Sequence, residues 1–348
     1  MKKYLLVLAV FAVLLLGIPS AAFLKDSMAS GTDKAVSQNS TSPETSETSG
    51  QPQDASSDYL MLDTSTGKVL TVTQRDYIIG AVSAEMPAAF HPEALKAQAI
   101  AVHTYAERQK LKELQKPTAE LNGAYFSNDP TRFQAFFTDE KMRETFGEKY
   151  EENYAKISAA ADEVLNKIIV YQGEPIVAAF HSLSSGNTEN SSDVWDGSPV
   201  DYLVSKPSLN DVYAPKYEQE YQFTPEEIAE KFKAKYPDLI FPELENNWFY
   251  IDSVTDAGSV KYIIVGDKTI RGREFREILG LRSACFEVKF NKVFTVTTRG
   301  YGHGVGMSQY GANFMANSGI LYDEILKHYY TGVEIIDTGG NSSETDGI

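Results

Sequence analysis

The stretch Tyr77–Arg108, YIIGAVSAEMPAAFHPEALKAQAIAVHTYAER, is the part of the chain around which the rest can be arranged. Ile78, Val82 and Glu85 stand at i, i+4 and i+7, so a helix here carries a carboxylate in line with an apolar stripe. Pro87 stops that helix and leaves Glu85 in its last turn. Apolar surroundings and the negative end of the helix dipole both disfavour a charged carboxylate, so the spacing predicts a glutamic acid with a raised pKa. Such a group serves as a general acid near neutral pH. The competing reading is a Glu that turns to solvent or pairs with Lys96. Beyond the loop, Pro92 takes a first helical position and Glu93 suits the positive helix start. The second helix is predicted to reach about Leu114, with Leu95, Ala99, Val102 and Ala106 as one stripe. Its alanines permit close approach of another element, so its simplest role is to back the first helix and frame Glu85.

Working outward, the 348 residues are 42% hydrophobic, enough for a sizeable core in one large domain or two smaller ones. The net charge of −16 argues against a nonspecific nucleic-acid binder, because nothing in such a balance neutralises a run of phosphates. The one cysteine, Cys285, excludes a disulfide within the chain and any Cys/His zinc spacing. Residues 1–24 read as a short cationic start and a transmembrane anchor, because Tyr4 to Phe23 is uncharged and about long enough to cross a bilayer. The lysines would stay cytoplasmic and the bulk of the chain outside. A cleaved signal peptide is the rival, and it too places the remainder outside the cytoplasm. Residues 25–58 are rich in Ser, Thr, Pro and Glu and read as a disordered tether. Residues 59–338 are the folded part, and 339–348 a disordered tail.

Within the folded part, Tyr59–Tyr77 reads as a hairpin leading into the first helix. Asp139–Asn166 is predicted as one charged amphipathic helix, and Ile168–Tyr171 and Ile176–Phe180 as two strands. Thr224-Pro225-Glu226-Glu227 supplies the start of a capped helix. Strands at Trp248–Val254 and Lys261–Val265, a short helix at Gly272–Leu279 and a β-rich run at Ala284–Thr297 follow. Helices and strands interleave without regular βαβ repeats, so the fold class is α+β. One continuous domain with a long groove is expected, with a two-lobed arrangement as the alternative.

Two further stretches stand out. Residues 181–199, HSLSSGNTENSSDVWDGSP, form a polar loop directly after a strand, with His181 and Trp195 as unusual companions. Gly300–Ala312, GYGHGVGMSQYGA, alternates glycine at 300, 302, 304 and 306 ahead of a helix predicted from about Ser308 to Asn317. Alternating glycine strips side chains from one face, so that a ligand or another segment of chain can approach the backbone closely. The stretch is neither a phosphate loop nor a dinucleotide fingerprint, because no Lys-Ser/Thr follows and GxGxxG spacing is absent.

The stretches AEMPAAFHPEALKAQAIAVHTYA (84–106), AFHSLSSGNTENSSDVW (179–195) and GYGHGVGMSQYGA (300–312) together resemble the stage II sporulation protein D family of peptidoglycan lytic transglycosylases. The resemblance spans roughly Tyr59 to Thr338. It implies cleavage between N-acetylmuramic acid and N-acetylglucosamine to leave a 1,6-anhydro end, with a preference for strands stripped of stem peptides. It also implies action in the engulfment machinery of the sporulating mother cell, beside the amidase/endopeptidase stage II sporulation protein P and the membrane partner stage II sporulation protein M. The family's catalytic acid maps to Glu85, its His-Ser pair to His181 and Ser182, and its glycine-rich motif to His303 through Ala312. His103 stands where members often carry Arg. Some members bind a metal through a Cys/His cluster, which the single cysteine here does not match, so no metal or cofactor is expected.

The expected chemistry needs one carboxylate, because the nucleophile is the sugar's own C6 hydroxyl. Gln98, His181, Ser182, Tyr301, His303, Ser308, Gln309 and Tyr310 are the candidates for holding the substrate. Glu189 and Asp193 are candidates for a second carboxylate, which would allow a hydrolase mechanism instead. Both are also ordinary loop-capping residues. A Ser182 hydrolase and a His91/His181/His303 metal site are weaker readings, because spacing supports neither. A glycan-binding scaffold that activates an amidase is the competing class of function.

Overall fold

The computed structural model describes residues 58–195 and 197–339. The expected anchor, the tether apart from Asp58, and the tail beyond Gly339 lie outside the described residues. Among the described residues no helix is long and apolar enough to cross a membrane.

The architecture mixes helices with short, mainly antiparallel sheets, an α+β arrangement, around two apolar cores. The first core is built from Tyr59–Leu203 and completed by Val305–Val333. The second draws on Ile228–Val296 and is inserted between those two runs. The chain therefore leaves the first lobe after the polar loop and returns to it through the glycine-rich stretch.

In the first lobe β1 (Tyr59–Asp63) and β2 (Lys68–Val72) pair antiparallel around Gly67. The helix α1 (Gln74–Glu85) starts at Thr73, whose side chain accepts from the Asp76 N–H, and ends where Met86 turns extended before Pro87. The helix α2 (Pro92–Gln115) is capped by His91 Nδ1, which accepts from Glu93 N–H, with proline at the first position as expected. Ala94, Ala97 and Ala101 are fully buried, which lets α2 lie close against its neighbours.

The expected single helix at 139–166 is broken. Gly147 adopts φ +55 and a short 3-10 turn separates Asp139–Phe146 from Tyr150–Asp162. The strand expected at Ile176–Phe180 does not form: 176–179 are irregular, between the two-residue strands Glu174–Pro175 and Phe180–His181. Between them Val177 N–H donates to the Tyr202 hydroxyl, and the Ala179 carbonyl accepts from both the Tyr330 hydroxyl and the Met307 N–H, so side chains supplement the few backbone partners of this segment.

The second lobe carries a three-stranded antiparallel sheet of Phe249–Val254, Val260–Val265 and Lys268–Arg271, and another of Glu218–Phe223, Phe286–Asn291 and Val293–Arg299. Phe232, Phe249, Phe275 and Phe294 pack ring against ring between them. The helix Pro225–Lys235 begins with a full capping box between Thr224 and Glu227.

Candidate active site

Glu85 ends α1 at the wall of a cleft of about 520 Å³. Its Oε1 accepts from the Ala135 N–H at 3.0 Å, and Oε2 has no hydrogen bond among the described residues. Gly80 makes this possible. The segment 134–137 lies on α1 there, with Phe137 N–H donating to the Gly80 carbonyl at 3.1 Å. A Cβ at Gly80 would sit 2.6 Å from the Phe137 carbonyl oxygen and would overlap the Phe136 ring. Glu85 is half-buried at the cleft wall, and the desolvation of its carboxyl there pushes it up to about 7, against the opposing pull of the Ala135 N–H. The alternative pairing with Lys96 is not formed, because Lys96 binds Glu93 and Glu163.

Gln309 ties the cleft to the glycine-rich stretch. Its Nε2 donates to the Glu85 backbone carbonyl at 2.9 Å and to Gln98 Oε1 at 3.3 Å. Gln309 therefore satisfies a carbonyl that the end of α1 leaves without an intrahelical partner. Ser308 caps the helix Gln309–Asn317 through the Gly311 N–H, and its hydroxyl donates to Asp211. Asp211 also accepts from the Ser184 N–H, so one buried carboxylate pins both motif stretches.

The alternating glycines answer to chain packing. Met307–Ser308 pairs in parallel with Phe180–His181, while Leu183 bridges Tyr301 and Glu189 bridges Val305. A Cβ at Gly302 would stand 2.7 Å from His181 Cβ, and one at Gly304 would stand 2.8 Å from Glu189 Cγ. A Cβ at Gly306 would overlap the Ala179 carbonyl oxygen. The segment that approaches the bare face is thus 179–189, which brings the second and third motifs into register.

Not every residue expected at the substrate reaches the cleft. Ser182, Tyr301, Gln309 and Tyr310 line it with Glu85. Gln98, His181 and Ser308 are fully buried behind it and act through what they hold. His303 is turned away, lining a smaller cavity with Glu189, Asp193 and Trp195. It packs against His181 and Trp195 at 5.8 and 5.4 Å between ring centroids. Glu189 accepts from the Thr255 hydroxyl and Asp193 pairs with Lys261, both ties to the second lobe. Neither lines the Glu85 cleft, and Glu85 is the one carboxylate among the described lining residues. The His181–Ser182 pair forms no catalytic couple. His181 Nδ1 meets the Val305 carbonyl at 3.2 Å, Nε2 has no partner among the described residues, and burial lowers the imidazole to about 4. His103 hydrogen-bonds the Lys167 carbonyl, away from the cleft. Among the described residues no group of three or more His, Cys, Asp or Glu could hold a metal.

Sequence reasoning missed the Ala135 N–H, Asp211, and the cleft cations Lys149, Lys216 and Arg282. None lies at a telling spacing from the motifs; only folding places them there.

Fold and cleft define a two-lobed α+β protein with an open site built on one protonatable carboxylate. The family model for the Stage II sporulation protein (SpoIID) matches residues 63–171. Stage II sporulation protein D of Bacillus subtilis (strain 168) is 35% identical over 339 residues, covering 96% of each chain. Stage II sporulation protein D of Bacillus amyloliquefaciens is 38% identical over 273 residues, covering 78% of this chain and 76% of that one. The amidase enhancer of Bacillus subtilis (strain 168) is 27% identical over 313 residues, covering 74% of this chain and 40% of that one. The chain belongs to the stage II sporulation protein D family of sporulation proteins.

Proposed function

We propose that the chain is a peptidoglycan lytic transglycosylase, cleaving the bond between N-acetylmuramic acid and N-acetylglucosamine in peptide-stripped glycan strands. The observation that carries this reading is Glu85, the one carboxylate among the described cleft residues, with its pKa pushed up to about 7. A hydrolase working through two carboxylates finds no second one among the described cleft residues.

In the first step the Glu85 carboxyl gives its proton to the glycosidic oxygen, and the C1–O bond breaks with departure of the N-acetylglucosamine hydroxyl. In the second, the C6 hydroxyl attacks C1 while the Glu85 carboxylate takes the hydroxyl proton. The anhydro ring closes, no water is consumed and Glu85 is protonated again. A pKa near neutrality suits a group that must act as acid and then as base. The Ala135 N–H supports the carboxylate between the steps, and Gln309 holds the helix end from which Glu85 projects.

The wider setting belongs to the same proposal: engulfment during sporulation, anchorage in the membrane with the catalytic part outside the cytoplasm, and partnership with stage II sporulation proteins P and M. The second reading, a glycan-binding enhancer of an amidase, draws on the likeness to the amidase enhancer. Mass spectrometry of stripped strands incubated with the full-length chain separates the two. Products one water lighter than reducing-end fragments, lost with Glu85→Gln, are expected. Intact strands would support the enhancer, and free reducing ends a hydrolase.

A further inference from the structure

The chain has 48 acidic and 32 basic side chains; several cations elsewhere on it pair with carboxylates, as Lys141 does with Glu144, Arg143 with Asp139 and Lys268 with Asp238, while exposed ones such as Lys68, Lys116 and Lys231 make no ion pair among the described residues. The Glu85 cleft inverts that balance. Its lining carries Lys149, Lys216 and Arg282 against the single Glu85. None of these three cations has an ion-pair partner among the described residues, although the protein has acidic groups to spare.

Arg282 is half-buried, and its guanidinium lies 5.1 Å from the centroid of the Tyr301 ring, which also lines the cleft. That contact steadies the side chain and leaves its charge unneutralised. The backbone beneath is held too, since the Gly302 N–H donates to the Arg282 carbonyl at 3.0 Å. Lys216 stands at φ +62, a left-handed conformation that costs free energy in a residue with a Cβ. The turn is maintained by Tyr217, whose N–H reaches the Ala214 carbonyl and whose hydroxyl donates to the Ser185 carbonyl. The Arg282 side chain and the backbone that carries Lys216 are thus held at the cleft by contacts that leave both charges unneutralised.

We propose that Arg282, with Lys216, forms an anion subsite that reads the free lactyl carboxylate of the muramic sugar. The inference rests on the glycan-strand reading above and assigns atoms to its selectivity. Along a glycan strand N-acetylglucosamine is neutral. The muramic residue's lactyl group is an uncharged amide while it carries a peptide, and becomes a carboxylate when that amide is hydrolysed. A guanidinium fork matches a carboxylate with two parallel N–H···O bonds, and an amide offers only one uncharged acceptor.

The test uses the full-length chain with Glu85→Gln, so that strands are bound and not cut. One probe is amidase-stripped glycan strands; the other is the same strands with their lactyl carboxylates converted to methylamides. Carboxylate strands are expected to bind at least about tenfold tighter. Adding Arg282→Gln and Lys216→Gln should bring the ratio close to one with little change in affinity for methylamide strands. Lys216→Gln alone, on the exposed turn, should lower the ratio even if Arg282→Gln compromises folding. Equal binding of the two probes by the Glu85→Gln chain overturns the proposal, as does a loss that falls on both probes alike. Anhydro products of the unsubstituted chain are read separately. A chain that makes none and keeps the carboxylate preference loses the transglycosylase reading alone; one that makes them without the preference loses only the subsite.

Discussion

At Glu85, burial raises the carboxyl and the Ala135 N–H pulls it down, and burial wins. The same shift makes a stability statement. The native state keeps a proton that the unfolded chain gives up between about pH 4.5 and about 7, so stability is lost as pH rises through that window. Glu85→Gln, which has no proton to lose, is therefore expected to melt higher than the unsubstituted chain at pH 8, by on the order of 2 kcal/mol. The two should converge below pH 4. Thermal melts at both pH values check this, and a gap independent of pH would contradict the shift. The same substitution should lower anhydro-product formation by about 10²-fold or more, so activity and stability move in opposite directions.

At the scale of elements, close approach decides more than propensity. Replacing glycine by alanine in a helix ordinarily stabilises by about 1 kcal/mol. Gly80→Ala is expected to do the reverse, because the new Cβ meets the Phe137 carbonyl oxygen at 2.6 Å and the Phe136 ring. A net loss of about 2 kcal/mol in denaturant unfolding is expected, with reduced cleavage as the Ala135 N–H shifts from Glu85. The glycine-rich stretch follows the same logic. Gly306→Ala combines φ +73 with overlap on the Ala179 carbonyl, whereas Gly67→Ala at φ +69 meets open space. The first should cost about 3 kcal/mol or more and the second about 1; similar losses would show that the approach of 179–189 does not matter. The stop of α1 before Pro87, the proline start of α2 and the Thr224 N-cap were legible in the sequence, since proline and capping side chains act within one turn, whereas the start of α1 at Gln74 fell inside the stretch read as a hairpin. The break at Gly147 was not, because charged amphipathic periodicity runs on across it.

At the scale of the molecule, the inserted lobe divides the polar loop and the glycine-rich stretch between two cavities. Ser182, Tyr301, Gln309 and Tyr310 face Glu85, while Glu189, Asp193 and His303 face the second lobe. Glu189→Gln is accordingly expected to leave anhydro-product formation within about threefold. A loss near the 10²-fold of a general acid or base would make Glu189 a member of the catalytic pair and restore the hydrolase reading. Its tie to Thr255 predicts some loss of stability instead.

The sequence by itself determined the α+β class, a carboxylate held at a helix end, and the three motifs whose order points to the family. Each is local: a period, a proline, a run of glycines. Tertiary structure alone decided which motif residues share a surface. Strand pairing of 180–181 with 307–308 turns neighbouring residues to opposite sides, so Ser182 reaches the cleft while His181 is buried. It also decided the charge of the cleft, because Lys149, Lys216 and Arg282 come from three distant segments, and a net charge of −16 says nothing about where folding gathers cations.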